Sequence, residues 1–171
     1  MKKTICFLLC LVTVLFCGCR AHTGDDQVQS SFFYLRDPDT YHYGSPEGVI
    51  SSELRDITGH ENELNYLLML YLKGPLDEAL ESPFPEGCSI LQLTVQAGKL
   101  SVTLNPSFAT LKGMDLTLAC VCLARTCFSL TDVQSIRISA QDVNGTVTVD
   151  ETITINSLLL EETELPSESG E

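Results

Sequence analysis

The feature that most constrains the fold of this chain is a β-hairpin predicted over residues 89–104. Apolar and polar residues alternate on both sides of Ala97-Gly98. Successive side chains of a strand point to opposite sides, so this alternation gives one apolar and one polar face. Gly98 supplies the positive φ of a tight turn. The residues predicted to face inward are Leu91, Leu93, Val95, Leu100, Val102 and Leu104. A sheet with one wet face needs a helix or a second sheet on the other, which predicts a small α+β domain centred on the hairpin.

Two amphipathic patterns flank the hairpin and predict helices that cover it. The first pattern runs from Leu64 to about Lys73 at helical spacing, with Thr58 and Glu61 as a predicted capping box and Gly74-Pro75 as its end. The second covers residues 113–130. Its predicted buried stripe is Leu116, Ala119, Cys120, Leu123, Cys127 and Leu130.

Further alternating segments predict the remaining strands. Residues 32–35 and 49–54 form one candidate pair, and residues 135–140 return as a strand with Ile136 and Ile138 inward. Asn144-Gly145 is a strong hairpin signal, followed by short strands at 146–149 and 152–155. The predicted fold class is therefore α+β, a small antiparallel or mixed sheet packed against two helices.

The N-terminal segment predicts secretion and lipidation. Lys2-Lys3 precede an apolar run over residues 4–16, which is shorter than the ~20 residues of a membrane-spanning helix. Phe16-Cys17-Gly18-Cys19 resembles the lipoprotein box of bacteria, a family in which the last Cys is diacylated and the chain is cut just before it. The alternatives are an ordinary cleaved signal peptide or an uncleaved N-terminal anchor. All three place the remainder on the extracytoplasmic side of the cell membrane.

The predicted organisation is a signal peptide at 1–18, a lipidated tether at 19–31, a main domain at 32–145, additional strands at 146–160 and a disordered acidic tail at 161–171. Apolar residues make up 44% of the chain, enough for a core. The net charge of −13 argues against nucleic acid as a partner, and against docking on anionic lipids through a basic patch, because both depend on Lys and Arg.

Four cysteines fall in the predicted domain: Cys88, Cys120, Cys122 and Cys127. Three interpretations of these cysteines are open: buried free thiols, a disulphide from Cys88 to one helix cysteine, and a metal site. Cys120 and Cys127 lie two helical turns apart, about 10 Å, which is too far for a disulphide between them. Zinc sites usually show a C-x₂₋₄-C spacing and a second ligand pair, and the predicted helical structure of this stretch argues against a metal site.

Five residues that follow the first strand are weak candidates for a ligand-binding surface: Asp37, Asp39, Tyr41, His42 and Tyr43. Asp37, Asp39 and His42 could approach one cation, although an exposed turn explains them as well. The Tyr41-His42-Tyr43 segment is the one aromatic cluster of the kind expected in a glycan-binding module. No G-x-S-x-G, P-loop or H-E-x-x-H motif is present. The sequence therefore predicts no catalytic residue, no cofactor and no metal.

The order of these signals resembles the GerMN domain of spore-forming and other Gram-positive bacteria, over about residues 32–145. Two departures are Ala97, where Asp often precedes the hairpin glycine, and the strands after Gly145, which are less typical. The segments that carry the resemblance are Phe33-Tyr34-Leu35-Arg36-Asp37-Pro38-Asp39, Leu72-Lys73-Gly74-Pro75, Pro83-Phe84-Pro85-Glu86-Gly87, residues 95–104, Phe108, and Val133-Gln134-Ser135-Ile136-Arg137-Ile138.

The resemblance implies an extracytoplasmic lipoprotein tied to sporulation, germination or the cell envelope. It also implies a fold similar to the ring-building modules that assemble between the two membranes of a developing spore, and it carries no catalytic residues. The expected partners are the membrane through a lipid anchor, envelope or sporulation proteins, and other copies of the chain. A binder of cell-wall glycan or peptide is the alternative, and an envelope hydrolase is a third hypothesis.

Overall fold

The structure is a computed structural model that describes residues 27–39 and 48–158 of the chain. The α+β class predicted from the sequence is confirmed. The elements are β1 (Gln29–Arg36), β2 (Ile50–Asp56), α1 (Leu64–Tyr71), β3 (Leu80–Glu81), β4 (Ile90–Gln96), β5 (Lys99–Leu104), a 3-10 turn (Phe108–Thr110), α2 (Gly113–Leu130), β6 (Ser135–Gln141) and β7 (Val147–Thr154).

The strands form two sheets, whereas the sequence analysis expected one. One sheet has the order β2-β1-β3 and the other β4-β5-β6-β7. Only β5 and β6 run parallel, because α2 crosses between them, and the other pairs are antiparallel. β1 begins at Gln29, inside the segment predicted as tether.

The central hairpin has the predicted turn. Ala97 and Gly98 have φ values of 49° and 73°, and positive φ at both central residues is the signature of the turn that matches the twist of paired strands. β4 and β5 pair antiparallel, with a bulge between Ile90 and Gln92. The turn and the pairing of the two strands are confirmed.

The burial predicted for β4 is wrong in part. Leu91 and Val95 are 62% and 59% exposed, and Leu93 is only half-buried. β4 is the outer strand of its sheet, so its apolar side chains lie beyond the cover that the rest of the fold provides. The inward residues of β5 are buried as predicted: Leu100, Val102 and Leu104.

Helix α1 is shorter than predicted, and the capping box is wrong. The Thr58 hydroxyl accepts a hydrogen bond from the Val28 amide at 2.9 Å, and a Glu61 oxygen accepts one from the Gly59 amide at 2.9 Å. Thr58 therefore ties the turn after β2 to the start of β1, and Glu61 closes that turn. The helix begins later, and its N-cap residue, Glu63, makes no side-chain cap hydrogen bond.

Helix α2 has the predicted bounds and lies along β1. The Thr126 hydroxyl accepts from the Phe33 amide at 2.9 Å, and the Ser129 hydroxyl donates to the Ser31 carbonyl. By length and composition α2 is also apolar enough to cross a membrane. In the described structure its buried side belongs to the core, and it includes Ala119, Cys120, Leu123, Ala124 and Cys127.

The C-terminal strands differ from the prediction in one respect. The Asn144-Gly145 turn is confirmed: Gly145 has a φ of 79°, and the Asp142 amide donates to the Thr146 carbonyl at 2.8 Å. β6 buries Ile136 and Ile138 as predicted. However, β7 is one continuous strand, whereas two short ones were expected. Its polar middle stays in register opposite β6, where Asp150 accepts two hydrogen bonds from Arg137 at 2.6 and 2.7 Å.

Candidate functional site

The predicted ligand surface is described only in part. The Asp37 carboxylate accepts a hydrogen bond from the Asp39 amide at 2.8 Å, and the Asp37 amide donates to the Ala79 carbonyl at 3.0 Å. Asp37 therefore shapes the turn that ends β1. The other predicted site residues lie outside the described residues: Cys19, Tyr41, His42 and Tyr43.

The cysteines are free thiols in a setting that keeps them protonated. Cys88 is half-buried and the three helix cysteines are buried, as one of the three readings expected. Burial raises the pKa of the Cys88 thiol to about 11 and the pKa values of Cys120, Cys122 and Cys127 to about 12. The thiolate is the nucleophile and the metal ligand, so these residues are poorly suited to either role at neutral pH. Within residues 27–39 and 48–158 no group of three His, Cys, Asp or Glu residues could hold a metal ion.

A buried arginine on β2 forms the main polar network of the fold, which the sequence analysis missed. One guanidinium nitrogen of Arg55 donates to the Tyr34 hydroxyl at 2.8 Å and to the Gly74 carbonyl at 2.7 Å. The other terminal nitrogen lies 3.4 Å from the Leu70 carbonyl, and Nε pairs with the Glu53 carboxylate. The side chains of Arg55 and Glu53 are only 11% and 10% exposed.

Aromatic rings surround the arginine. The guanidinium carbon of Arg55 lies 5.0 Å from the centre of the Phe32 ring and 5.4 Å from that of Tyr34. Tyr34 packs on Tyr71 at 5.0 Å, and the hydroxyl of Tyr71 donates to the Phe33 carbonyl at 2.6 Å. A planar cation held over aromatic faces gains electrostatic attraction beyond its hydrogen bonds.

The network closes the C-terminal end of α1. Glu53 accepts hydrogen bonds from the Leu76 and Asp77 amides, both at 3.0 Å, while Arg55 holds the Gly74 carbonyl. Gly74 has a φ of 101°, which a residue with a Cβ adopts only under strain. Arg55 and Glu53 therefore fix the Leu72-Lys73-Gly74-Pro75 segment. The sequence contained one indication that these two residues act together. They stand two positions apart, so they share one face of a strand.

The chemistry of this network is structural. Burial raises the pKa of the Tyr34 phenol, and burial raises that of Tyr71 as well. Both phenols stay protonated at neutral pH and cannot serve as bases there. The donors of Arg55 are directed at groups of its own chain, which leaves this cluster as a stabilising element.

The two buried polar side chains of the described core are also used by the fold. Ser30 donates to the Ser129 carbonyl at 3.0 Å, and the Thr126 hydroxyl accepts from β1. In the described part of the chain, one buried side-chain oxygen has no hydrogen-bond partner, Oδ1 of Asn105, whose amide nitrogen donates to the Gly87 carbonyl at 2.7 Å. A single orphaned oxygen beside a loop does not define a ligand site.

Two cavities lie beside α2, one between the helix and β7 and the other between the helix and β1. One of about 260 Å³ is lined by Cys120, Glu151 and Ile153 among others. The other, of about 310 Å³, is lined by residues that include Phe33, Arg125 and Phe128. The first holds a protonated thiol and a carboxylate, and the Glu151 charge adds to burial in raising the pKa of Cys120. The Cys120 thiol therefore stays protonated at neutral pH and is not activated as a nucleophile.

The outer face of the four-stranded sheet is open and polar. The register places Thr94, Ser101, Arg137 and Thr152 in one row across the four strands. Serine, threonine and glutamine dominate the other rows, with Lys99 near one end and an exposed Arg137–Asp150 ion pair. Its rows hold no aromatic side chain, so this face lacks the stacking platform of a typical glycan-binding surface.

These observations define the class of protein, a small two-sheet α+β domain whose buried polar groups mainly hold its own fold together. No protein family profile matches the chain, and no curated protein sequence matches it. Among solved structures, it is similar to the tandem GerMN domains of the sporulation protein GerM from Bacillus subtilis, with a TM-score of 0.51 and 14% identity. That match covers 75% of this chain and 45% of that one. The resemblance to the GerMN domain is thus confirmed at the level of the fold.

A second solved structure is a protein described as a lipoprotein from Clostridium perfringens. Its TM-score is 0.45 and its identity 12%, and the match covers 77% of this chain and 89% of that one. The present chain spans less than half the length of the GerM structure, and identities this low establish the fold alone.

Proposed function

We propose that this chain is a lipid-anchored, extracytoplasmic module that works by association with proteins of the cell envelope, without catalysis. The observation that supports the proposal is that the buried polar groups are used by the fold itself, while other surfaces are left exposed. The Arg55 network and the thiols serve the described fold, while an uncharged strand edge and a flat polar sheet face stay open to partners.

The predicted anchor at Cys19 supports a role at the membrane surface. The chain between Cys19 and the start of β1 at Gln29 can span at most about 35 Å when fully extended. A domain tethered this closely meets other membrane-bound proteins at a high effective concentration. Interfaces too weak to persist in dilute solution are then sufficient.

The net charge and the fold limit the kinds of partner that this chain is expected to bind. A net charge of −13 favours neutral or basic protein surfaces and disfavours nucleic acid. One solved structure with this fold is that of a sporulation protein, which supports a role in sporulation or germination for this chain as well.

Cross-linking in intact cells tests the proposal. The full-length chain is affinity-tagged, cross-linked in vegetative and in sporulating cells, and its covalent partners are identified by mass spectrometry. We expect a defined set of extracytoplasmic proteins. An Asp39→Asn variant should recover the same set, because Asp39 lies in an exposed turn. Recovery of cell-wall glycan in place of proteins would contradict the proposal. So would an Asp39→Asn chain that keeps its partners and its stability but loses biological activity.

A further inference from the structure

We infer that β4 is a self-association edge: two copies of this chain pair their β4 strands antiparallel and join two four-stranded sheets into one. The inference rests on the proposed function, because it names one partner of an association module. It concerns a defined surface, the outer edge of β4 with the exposed side chains of Leu91 and Val95, called here the β4 edge.

The β4 edge differs from the other edge of its sheet. β4 contains no charged residue, no proline and no glycine, and no described strand pairs with its outer side. At the opposite edge, β7 carries Asp150 and Glu151. Charged side chains are a common device by which proteins keep an edge strand from pairing with another molecule.

The edges of the three-stranded sheet are also protected. β2 turns the charged side chains of Glu53 and Arg55 inward and ends in the exposed Asp56, and β3 on the other side is only two residues long. The part of β1 beyond β3 meets α2, where Thr126 and Ser129 hydrogen-bond its backbone. Among the described strands, β4 is therefore the long edge without a blocking feature.

Two apolar residues of β4, Leu93 and Val95, lie on the side that continues the core. Val95 pairs with Leu100 of β5, and Leu100 is fully buried while Val95 is 59% exposed. Leu93 pairs with the buried Val102 and is half-buried. A strand added at this edge would bring side chains alongside Leu93 and Val95 and cover them.

A second copy of β4 matches this edge. A two-fold axis at Thr94, the middle of the regular stretch, sets Thr94 opposite its own copy, Leu93 opposite Val95, and Gln92 opposite Gln96. Apolar residues then meet apolar residues on one face, and uncharged polar residues meet on the other. The bulge between Ile90 and Gln92 falls at the beginning of the strand, so residues 92–96 keep the regular spacing that pairing needs.

The charge distribution favours a copy of this chain at this edge. Two chains of net charge −13 repel each other, and the repulsion is weakest where acidic groups are absent. Residues 87–114, which contain the whole hairpin, hold none of the 23 acidic residues of the chain. This acid-free segment therefore contains the unprotected edge, and a shared membrane anchor would bring two such edges into one plane.

Photo-cross-linking of the full-length chain in intact cells tests the inference. Two copies with different epitope tags are co-expressed, each with Val95 replaced by benzoylphenylalanine. The matched control carries the same replacement at Val147, which is 52% exposed on β7. We expect ultraviolet light to join the two tagged copies at position 95, at a yield at least tenfold higher than at position 147.

A second set of variants separates pairing from misfolding. In these variants the photo-reactive residue replaces Leu91. Adding Val95→Lys should lower the yield of cross-linked copies at least tenfold, whereas adding Val147→Lys should leave that yield unchanged. The two variants should have equal melting temperatures. Absence of a cross-link between copies at position 95 overturns the inference. If other envelope proteins are still recovered, including at position 95, the proposed function stands while self-pairing fails. If no protein is recovered from any position, both fail.

Discussion

Replacing Arg55 with Met tests the structural account of the buried network. The substitution keeps much of the side-chain volume but removes the two short hydrogen bonds to the Tyr34 hydroxyl and the Gly74 carbonyl. It also leaves the Glu53 carboxylate, which is 10% exposed, without its cation. Removing one partner of a buried ion pair costs ~3–5 kcal/mol, a large share of the ~5–15 kcal/mol that stabilises a domain.

The expected cost of Arg55→Met is therefore about 3–5 kcal/mol of unfolding free energy. Arg55→Lys should be intermediate, because an ammonium keeps the charge but cannot reproduce the planar fork. In a double-mutant cycle, Glu53→Gln should cost less in the Arg55→Met background than in the wild type, since the carboxylate no longer has a cation to lose.

Arg137→Met is the matched control. Arg137 is also a strand arginine with two short hydrogen bonds to a carboxylate, but the pair is half-exposed on the outer sheet face. Its loss should barely move the unfolding midpoint. The assay is urea unfolding followed by circular dichroism, in which ~4 kcal/mol corresponds to a shift of about 2 M for a slope near 2 kcal/mol/M. Equal midpoints for the two Met variants would refute the assignment of the network as stabilising.

Three further outcomes are expected. Burial raises the pKa of Cys127 from its ordinary value of 9.0 to about 12, so above pH 9 the unfolded chain loses this proton first and stability falls. Cys127→Ala should flatten the decline by ~1.4 kcal/mol per pH unit, measured by urea unfolding at pH 9–11, and an unchanged slope would contradict the burial. Leu123→Ala should cost ~2–5 kcal/mol, whereas Leu91→Ala should cost little, and equal thermal midpoints would mean that the core is misassigned. Mass spectrometry of the membrane fraction should find a diacylated N-terminus at Cys19, and Cys19→Ala should accumulate as uncleaved precursor. An unmodified chain cut elsewhere would exclude lipidation.

Local patterns explain the parts of the fold that the sequence predicts well. The Ala97-Gly98 and Asn144-Gly145 turns follow from residues that accept positive φ, and α2 follows from an apolar stripe that repeats at helical spacing. In each case the determinant lies within a few residues of the feature it determines. The strand at residues 135–140 was also predicted, whereas its parallel pairing with β5 was not, because that pairing depends on how α2 crosses between the two strands.

Features that depend on distant residues were missed. Thr58 and Glu61 match a capping box, but Thr58 bonds the start of β1, thirty positions earlier in the chain. The exposure of Leu91 and Val95 follows from the position of β4 at the end of a sheet, and alternation alone does not reveal strand order. Arg55 contacts groups from β1 and from the end of α1, so its role emerges only after folding.

The same distinction between local and distant determinants applies to the candidate site. The burial of Cys120 and Cys127 was predictable from their place on the apolar stripe. The open β4 edge was not predictable from the sequence, because a strand is an edge only when no other strand pairs with it. Asp37 and Asp39 were singled out for their acidity, while the structure gives Asp37 a role in a turn.

The measurement that tests the central claim most directly compares an anchored and a released form of the chain in intact cells. The released form carries an ordinary cleavable signal peptide and no cysteine at position 19, with the domain unchanged. The account predicts that both forms fold equally well, and that the anchored chain recovers its cross-linked envelope proteins at a yield at least about tenfold higher, because tethering supplies the effective concentration. Equal recovery from the two forms, or activity without any recovered protein, would contradict a tethered association module.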